Sequence, residues 1–299
     1  MSDPVLTEEP LQFGEGGRLF GILTLPATPA RTAHALPVFV LLSAGALHRV
    51  GTFRLHVRLS RQLARMGFSS LRVDLAGIGD SPRRPGLTNQ ESVTADYKEI
   101  VSVLESRLGQ LPLVLAGLCS GADNAIKLTP GDPRIVGMVL LDPICFRDDG
   151  FKARALVLKY TNPDLYVSWL KRRLKALTTP RRKRKEDDEP LDYLALRNLP
   201  TREQVRAAFL SIRERQGRVL SVFTQYALPY YNRAGQLGGV LGLEGYPQFC
   251  TEIYWPQAEH TYPLELHRRR LLKEVGNWAG AYLRPRLNPC PPVVRLQTA

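Results

Sequence analysis

Apolar residues in the first half of the chain come in short unbroken runs separated by amphipathic stretches. Pro37–Ser43 (PVFVLLS) carries almost no polar position. A run of that length without alternation suits a strand covered on both faces, as in a parallel sheet. Phe68–Asp74, Leu111–Leu118 and Arg134–Leu141 repeat the signal. Helical spacing lies between them. Phe53–Met66 places Phe53, Leu59, Leu63 and Met66 at three- and four-residue intervals and stops at Gly67. Glu91–Leu108 brings Val93, Tyr97, Ile100, Val101, Leu104 and Leu108 to one face. Upstream, Leu11–Phe13 and Leu19–Leu25 flank Glu15-Gly16-Gly17, a hairpin pattern. The alternation predicts an α/β fold: a mostly parallel, doubly wound sheet with helices on both faces after an antiparallel start.

The pattern changes after residue 145. From Phe151 to Pro200 there is no strand signal. Leu165–Leu177 reads as a helix, and Thr178–Pro190 as a charged linker. Residues 146–200 are therefore expected to form a helical lid insertion with a basic loop. It would divide the core into an N-terminal part, 1–145, and a C-terminal part, 201–299. In the latter, Thr201–Gln216 predicts a helix with Thr201 as N-cap, and Val219–Thr224 a strand. Tyr231–Leu237 reads as a helix, Cys250–Trp255 as the last strand and Leu264–Leu283 as the closing helix. The proline-rich tail from Arg284 is expected to be irregular.

Composition narrows the class. The 299 residues are 44% hydrophobic, enough for a substantial core. No apolar run approaches the roughly 18 residues of a membrane span, so no transmembrane segment is expected. Met1–Pro10 is acidic and polar, unlike a secretory signal. Four scattered cysteines show neither disulfide nor zinc spacing. A cytoplasmic, reducing location is the expectation, with no metal and no cofactor. The net charge is +13, and its densest stretch runs from Lys171 to Lys185. Such charge suits an acidic partner protein or an anionic surface. A solvated surface loop with the arginine-rich usage of a GC-rich genome is the preferred account, and no nucleic-acid partner is expected.

The chemistry gathers in four loops. Val114–Leu118 climbs into Gly117-Leu118-Cys119-Ser120-Gly121 and a helix-compatible segment follows. Strand, strained turn, helix is the shape of a nucleophile elbow, whose neighbours two positions away must be small. Cys119 has Gly117 and Gly121 there, whereas Ser120 would have Leu118 and Ala122, so Cys119 is the better elbow residue. A buried structural cysteine beside a capping serine is the bland alternative. In an open parallel sheet, reactive groups collect at the carboxyl ends of the strands. His260 follows the last strand, Asp142 ends the strand after the elbow, and Ala44–Leu47 follows the early apolar strand. A thiolate needs a base to take its proton, and the imidazole needs a carboxylate to fix its tautomer. Cys119, His260 and Asp142 are assigned those roles. The backbone N–H of Ser120, with that of Gly45 or Ala46, is the expected oxyanion hole. His48 and Arg49 are candidate substrate contacts. Asp74, Asp80 and Ser81 read as loop-stabilising hydrogen bonders.

The elbow, Asp74 with Gly77-Ile78-Gly79-Asp80-Ser81, and Ala258-Glu259-His260-Thr261 together resemble the α/β-hydrolase superfamily. Ala44-Gly45 with His48-Arg49-Val50-Gly51 looks like the branch containing exosortase-A-associated hydrolases and serine aminopeptidase-like proteins. Dienelactone hydrolases are similar in using cysteine at the elbow. The superfamily usually carries its acid after the strand that here is Val219–Thr224, but Gln225–Asn232 contains no carboxylate. The resemblance therefore puts the acid at Asp142, a position some members use, with Asp123 and Glu259 as weaker alternatives.

The expected activity is hydrolysis of an ester, thioester or related acyl bond in a small molecule, through an acyl-enzyme on Cys119. An acyltransferase drawing on coenzyme A or an acidic carrier protein is the second reading. A non-catalytic scaffold binding anionic partners through the basic loop is the third.

Overall fold

The computed structural model describes residues 6–28, 35–161, 199–283 and 294–296. Its strands are β1 (Thr7–Phe13), β2 (Leu19–Leu25), β3 (Val38–Leu42), β4 (Ser70–Asp74), β5 (Leu113–Leu118), β6 (Ile135–Leu141), β7 (Arg218–Thr224), β8 (Cys250–Trp255) and a short β9 (Val294–Leu296). They form one sheet in the order β1-β2-β4-β3-β5-β6-β7-β8-β9. The β1–β2 and β2–β4 pairings are antiparallel, and all later pairings are parallel. The expected α/β architecture is the one observed.

The unbroken apolar runs have a direct cause. In β3, Val38, Val40 and Leu42 enter one core, and Phe39 and Leu41 the other. In β5, Leu113 and Leu115 go one way, and Val114, Ala116 and Leu118 the opposite way. Successive side chains of a strand point to opposite faces, so a sheet sandwiched between helix layers needs apolar residues at every position. One layer is α2 (Asn89–Leu108), α3 (Ser120–Leu128) and α5 (Arg202–Glu214); the other is α1 (Leu55–Arg65) and α8 (Glu265–Ala279). Thr88 and Thr201 close capping boxes at the starts of α2 and α5. The partner of Thr201 is Gln204.

Several element boundaries differ from the sequence reading. Phe53 and Arg54 have φ of 46° and 63°, so α1 begins at Leu55 rather than Phe53. The helix expected over Tyr231–Leu237 is α6 (Gln236–Leu241), followed by a short α7 (Tyr246–Phe249). Tyr231 is instead drawn into the core, its ring stacked on Phe223 and its hydroxyl donating to the buried Glu252 carboxylate. Tyr246 donates to the same carboxylate at 2.8 Å. A buried carboxylate demands such partners, and that demand overrode local helical spacing. The closing helix ends at Ala279 in a 3₁₀ turn, Gly280–Leu283. The tail returns as β9 beside β8. The interval expected to be a lid opens with α4 (Phe151–Thr161). The predicted helix Leu165–Leu177 and the basic stretch Lys171–Lys185 lie outside the described residues. Among the described residues, no helix is long and apolar enough to cross a membrane.

Candidate active site

Cys119 stands between β5 and α3 with φ 56° and ψ −120°, a conformation that L-residues seldom adopt. The flanking glycines explain how the turn closes. A Cβ on Gly117 would run into the backbone of Gly121, and one on Gly121 into the Leu42 carbonyl. The chain reverses within van der Waals contact of itself, and only hydrogen fits at either position. Cys119 N–H donates to the Leu141 carbonyl at 2.8 Å, and Asp123 N–H to the Cys119 carbonyl at 3.0 Å. The sulfur is thus carried at the N-terminus of α3, where the helix dipole favours an anion.

His260 and Asp142 are brought to the same end of the sheet across 118 residues of sequence. His260 Nδ1 lies 2.7 Å from Asp142 Oδ2. Asp142 is fully buried and also accepts from Thr224 N–H and Thr224 Oγ1, each at 2.6 Å. These donors fix the carboxylate, and the carboxylate fixes the ring. Burial alone would lower the basicity of His260, but hydrogen bonds and charge from Asp142 and Cys119 outweigh it, holding the imidazole up at about 9. The Tyr226 ring stacks on that of His260, 3.9 Å away at 21°, and restricts rotation of the imidazole.

The cleft beside Cys119 has a volume of about 510 Å³. Its walls come from the loops after β3 and β4, the start of α2, the elbow and Tyr226. Leu75, Ile78, Leu87 and Val93 give it an apolar side. Ser120, Gly45 and Ala46 line it, as a donor pair for a tetrahedral oxyanion would. The Gly45 N–H, however, is already donated to Ser120 Oγ at 2.7 Å. That corrects the simple expectation for Gly45: its N–H reaches a ligand only if the Ser120 hydroxyl turns away. Ser120 N–H, in the first turn of α3, has no intrahelical acceptor.

His48 and Arg49 are not among the residues lining the cleft. His48 is exposed, and its Nδ1 faces the Val50 N–H at 3.4 Å. Arg49 is held by the buried Asp74 through both backbone and guanidinium, and by Asp80 at 2.7 Å. Asp74 and Ser81 pin the loop after β4, with Ser81 Oγ donating to the Asp74 carbonyl at 2.8 Å. Arg49 is therefore a brace for that loop, with its guanidinium engaged by Asp74 and Asp80 rather than turned into the cleft. Thr224 and Tyr226 escaped the sequence reading because the search there was for a carboxylate. The signal was a threonine ending a strand beside one that ends in aspartate.

The family model for serine aminopeptidase, S33, matches residues 40–202, more than half of the chain. The chain belongs to the serine aminopeptidase S33 family of α/β-hydrolases. The match takes in the end of β3, the elbow and Asp142, and it ends before His260. No curated protein matches the chain in sequence. Among solved structures, an esterase of Pyrococcus furiosus aligns with a TM-score of 0.56 at 13% identity, over 94% of this chain and 92% of its own. A proline iminopeptidase of Mycobacterium smegmatis aligns at 0.52 and 13%, over 93% and 99%. An esterase of Butyrivibrio proteoclasticus with ferulic acid bound aligns at 0.52 and 15%, over 89% and 95%. At these identities the likeness is one of fold. The family is named for serine, and this chain carries Cys119 at the elbow.

Proposed function

We propose that the protein is an acyl hydrolase in which Cys119 is the nucleophile, His260 the proton carrier and Asp142 the acid that orients it. The reading covers esters and thioesters of small molecules. The observation that carries it is the hydrogen-bonded Asp142–His260 pair held at the same strand ends as a strained cysteine elbow. Nδ1 of His260 is taken by Asp142, which leaves Nε2 for the sulfur, and Cys119 contributes to the raised basicity of that ring.

In the proposed cycle, the Cys119 thiol gives its proton to His260 and the sulfur attacks the acyl carbon. The C–S bond forms, and the carbonyl electrons move onto oxygen, facing Ser120 N–H and its neighbours across the cleft. Collapse breaks the bond to the leaving alcohol or thiol, which takes the proton from His260. Water then gives a proton to His260 and attacks the thioester. Release of the acid returns that proton to Cys119. A reducing, cytoplasmic setting belongs to this reading, because a thiol nucleophile must stay reduced. Most of the interval expected to form a lid lies outside the described residues. Its described start, α4, exposes Leu156 and Val157, apolar side chains suited to an acyl chain.

The test is incubation with 4-nitrophenyl butyrate, followed by mass spectrometry of peptides from rapidly acid-quenched protein. A butyryl adduct on Cys119, with turnover lost in Cys119→Ala, is expected. Undiminished turnover in Cys119→Ala would overturn the assignment.

A further inference from the structure

The ionisable side chains that line the cleft are Cys119, Tyr226, Arg83, Arg84 and Asp123. Two of the charged ones are already matched. Arg84 pairs with Asp96 and Glu99, each at 2.6 Å, and is almost buried. Asp123 is 1% exposed, receives the Ile144 N–H at 3.4 Å and feels the charge of Lys127. Arg83 differs. It is exposed, and among the described residues it has no ion pair or hydrogen bond. Asp80, the acidic residue closest to it in sequence, is engaged by Arg49 at 2.7 Å.

The guanidinium is not simply adrift. The Arg83 stem crosses Gly77, with its Cγ 2.9 Å from where a Cβ on that glycine would stand. Gly77 has φ +82° and receives no side chain there without displacing the arginine. The loop beneath is rigid: Gly77 N–H donates to the Ser81 carbonyl at 2.9 Å, Ile78 N–H to that of Leu75 at 2.9 Å, and Ala76 N–H to Asp96 at 2.7 Å. A braced glycine loop thus seats one uncompensated cation on the wall of a cleft whose neighbouring surface is Leu75, Ile78 and Leu87.

We propose that Arg83 is a specificity-determining residue that selects acyl substrates bearing an anionic group, a carboxylate or phosphate, beyond an apolar spacer. This rests on the reading of Cys119 as the nucleophile. Guanidinium pairs with carboxylate or phosphate through two parallel N–H donors. The anion can belong to the acyl part or to the leaving part, and the two are separable by experiment.

Three chromogenic esters distinguish them: 4-nitrophenyl pentanoate (neutral), the 4-nitrophenyl monoester of glutaric acid (anion on the acyl part) and 3-carboxy-4-nitrophenyl pentanoate (anion on the leaving part). In Arg83→Gln, kcat/KM should fall about tenfold or more for one anionic ester, with the neutral ester unchanged, and Arg83→Lys should restore part of the loss. Equal effects on all three esters, or none, would overturn the inference. A second readout does not need turnover. The rate of Cys119 alkylation by iodoacetate relative to iodoacetamide should be higher in the parent than in Arg83→Gln. An altered alkylation ratio without ester turnover would remove the hydrolase reading and keep the anion seat. Turnover with both readouts indifferent to Arg83 would do the reverse.

Discussion

At the scale of single residues, the pivotal quantity is the proton on His260. Asp142 and Cys119 hold the imidazole up at about 9 against the effect of burial. A protonated His260 donates to the leaving group, so kcat/KM should have an alkaline limb near pH 9. Asp142→Asn removes the main supporting charge and should move that limb down toward the ordinary imidazole range. A pH–rate profile of both proteins checks this, and an unmoved limb would mean that Asp142 does not govern the ring. Thr224 acts one step further out. Thr224→Val keeps the shape but removes the hydroxyl donor to a fully buried carboxylate, at a cost of about 1.5–3 kcal/mol. Chemical denaturation should read that loss. Neither threonine nor tyrosine at the end of β7 was legible as a site residue. Their roles arise because β6 and β7 are neighbours that end at the same level, a fact of sheet order.

At the scale of elements, the elbow is a packing device before it is a chemical one. Gly121 faces the Leu42 carbonyl, so α3 starts against the end of β3 with no room for a methyl group. Backbone cannot yield as a side-chain tip can. Gly121→Ala should therefore destabilise the protein by about 3 kcal/mol, and circular dichroism in a denaturant series should show an earlier midpoint. A midpoint equal to the parent's would mean the turn has slack. The spacing Gly117-x-Cys119-x-Gly121 carried this element openly, because the steric requirement is local. Tyr231–Leu237 did not fold where its spacing suggested, because Glu252, distant in sequence and 1% exposed, draws the Tyr231 hydroxyl inward.

At the scale of the molecule, His260 and Asp142 join loops 118 residues apart, those after β8 and β6. The folded-state pKa of His260 lies above its value of 6.5 in an open chain. Its charged form is therefore stabilised by folding. That contribution is fully present below pH 6.5 and is lost as pH rises through about 9. The melting temperature of the parent should exceed that of His260→Gln near pH 6, and the gap should narrow by pH 9.5. A gap independent of pH would detach the pair from global stability.

Local pattern along the chain specifies the doubly wound sheet and the strained elbow. Unbroken apolar runs have meaning only between two helix layers, and a glycine two residues either side of Cys119 is a steric statement readable in five letters. It also placed His260 and Asp142 at strand ends, since their positions in the strand–loop alternation are a matter of order along the chain. What each loop side chain does there is set by the folded chain. It made Arg49 a brace, closed Gly45 against Ser120, set Thr224 behind Asp142 and left Arg83 on the cleft wall without an ion pair among the described residues. Those outcomes depend on which charges meet across the sheet, and partners from 25 to 118 residues apart leave no mark in local spacing.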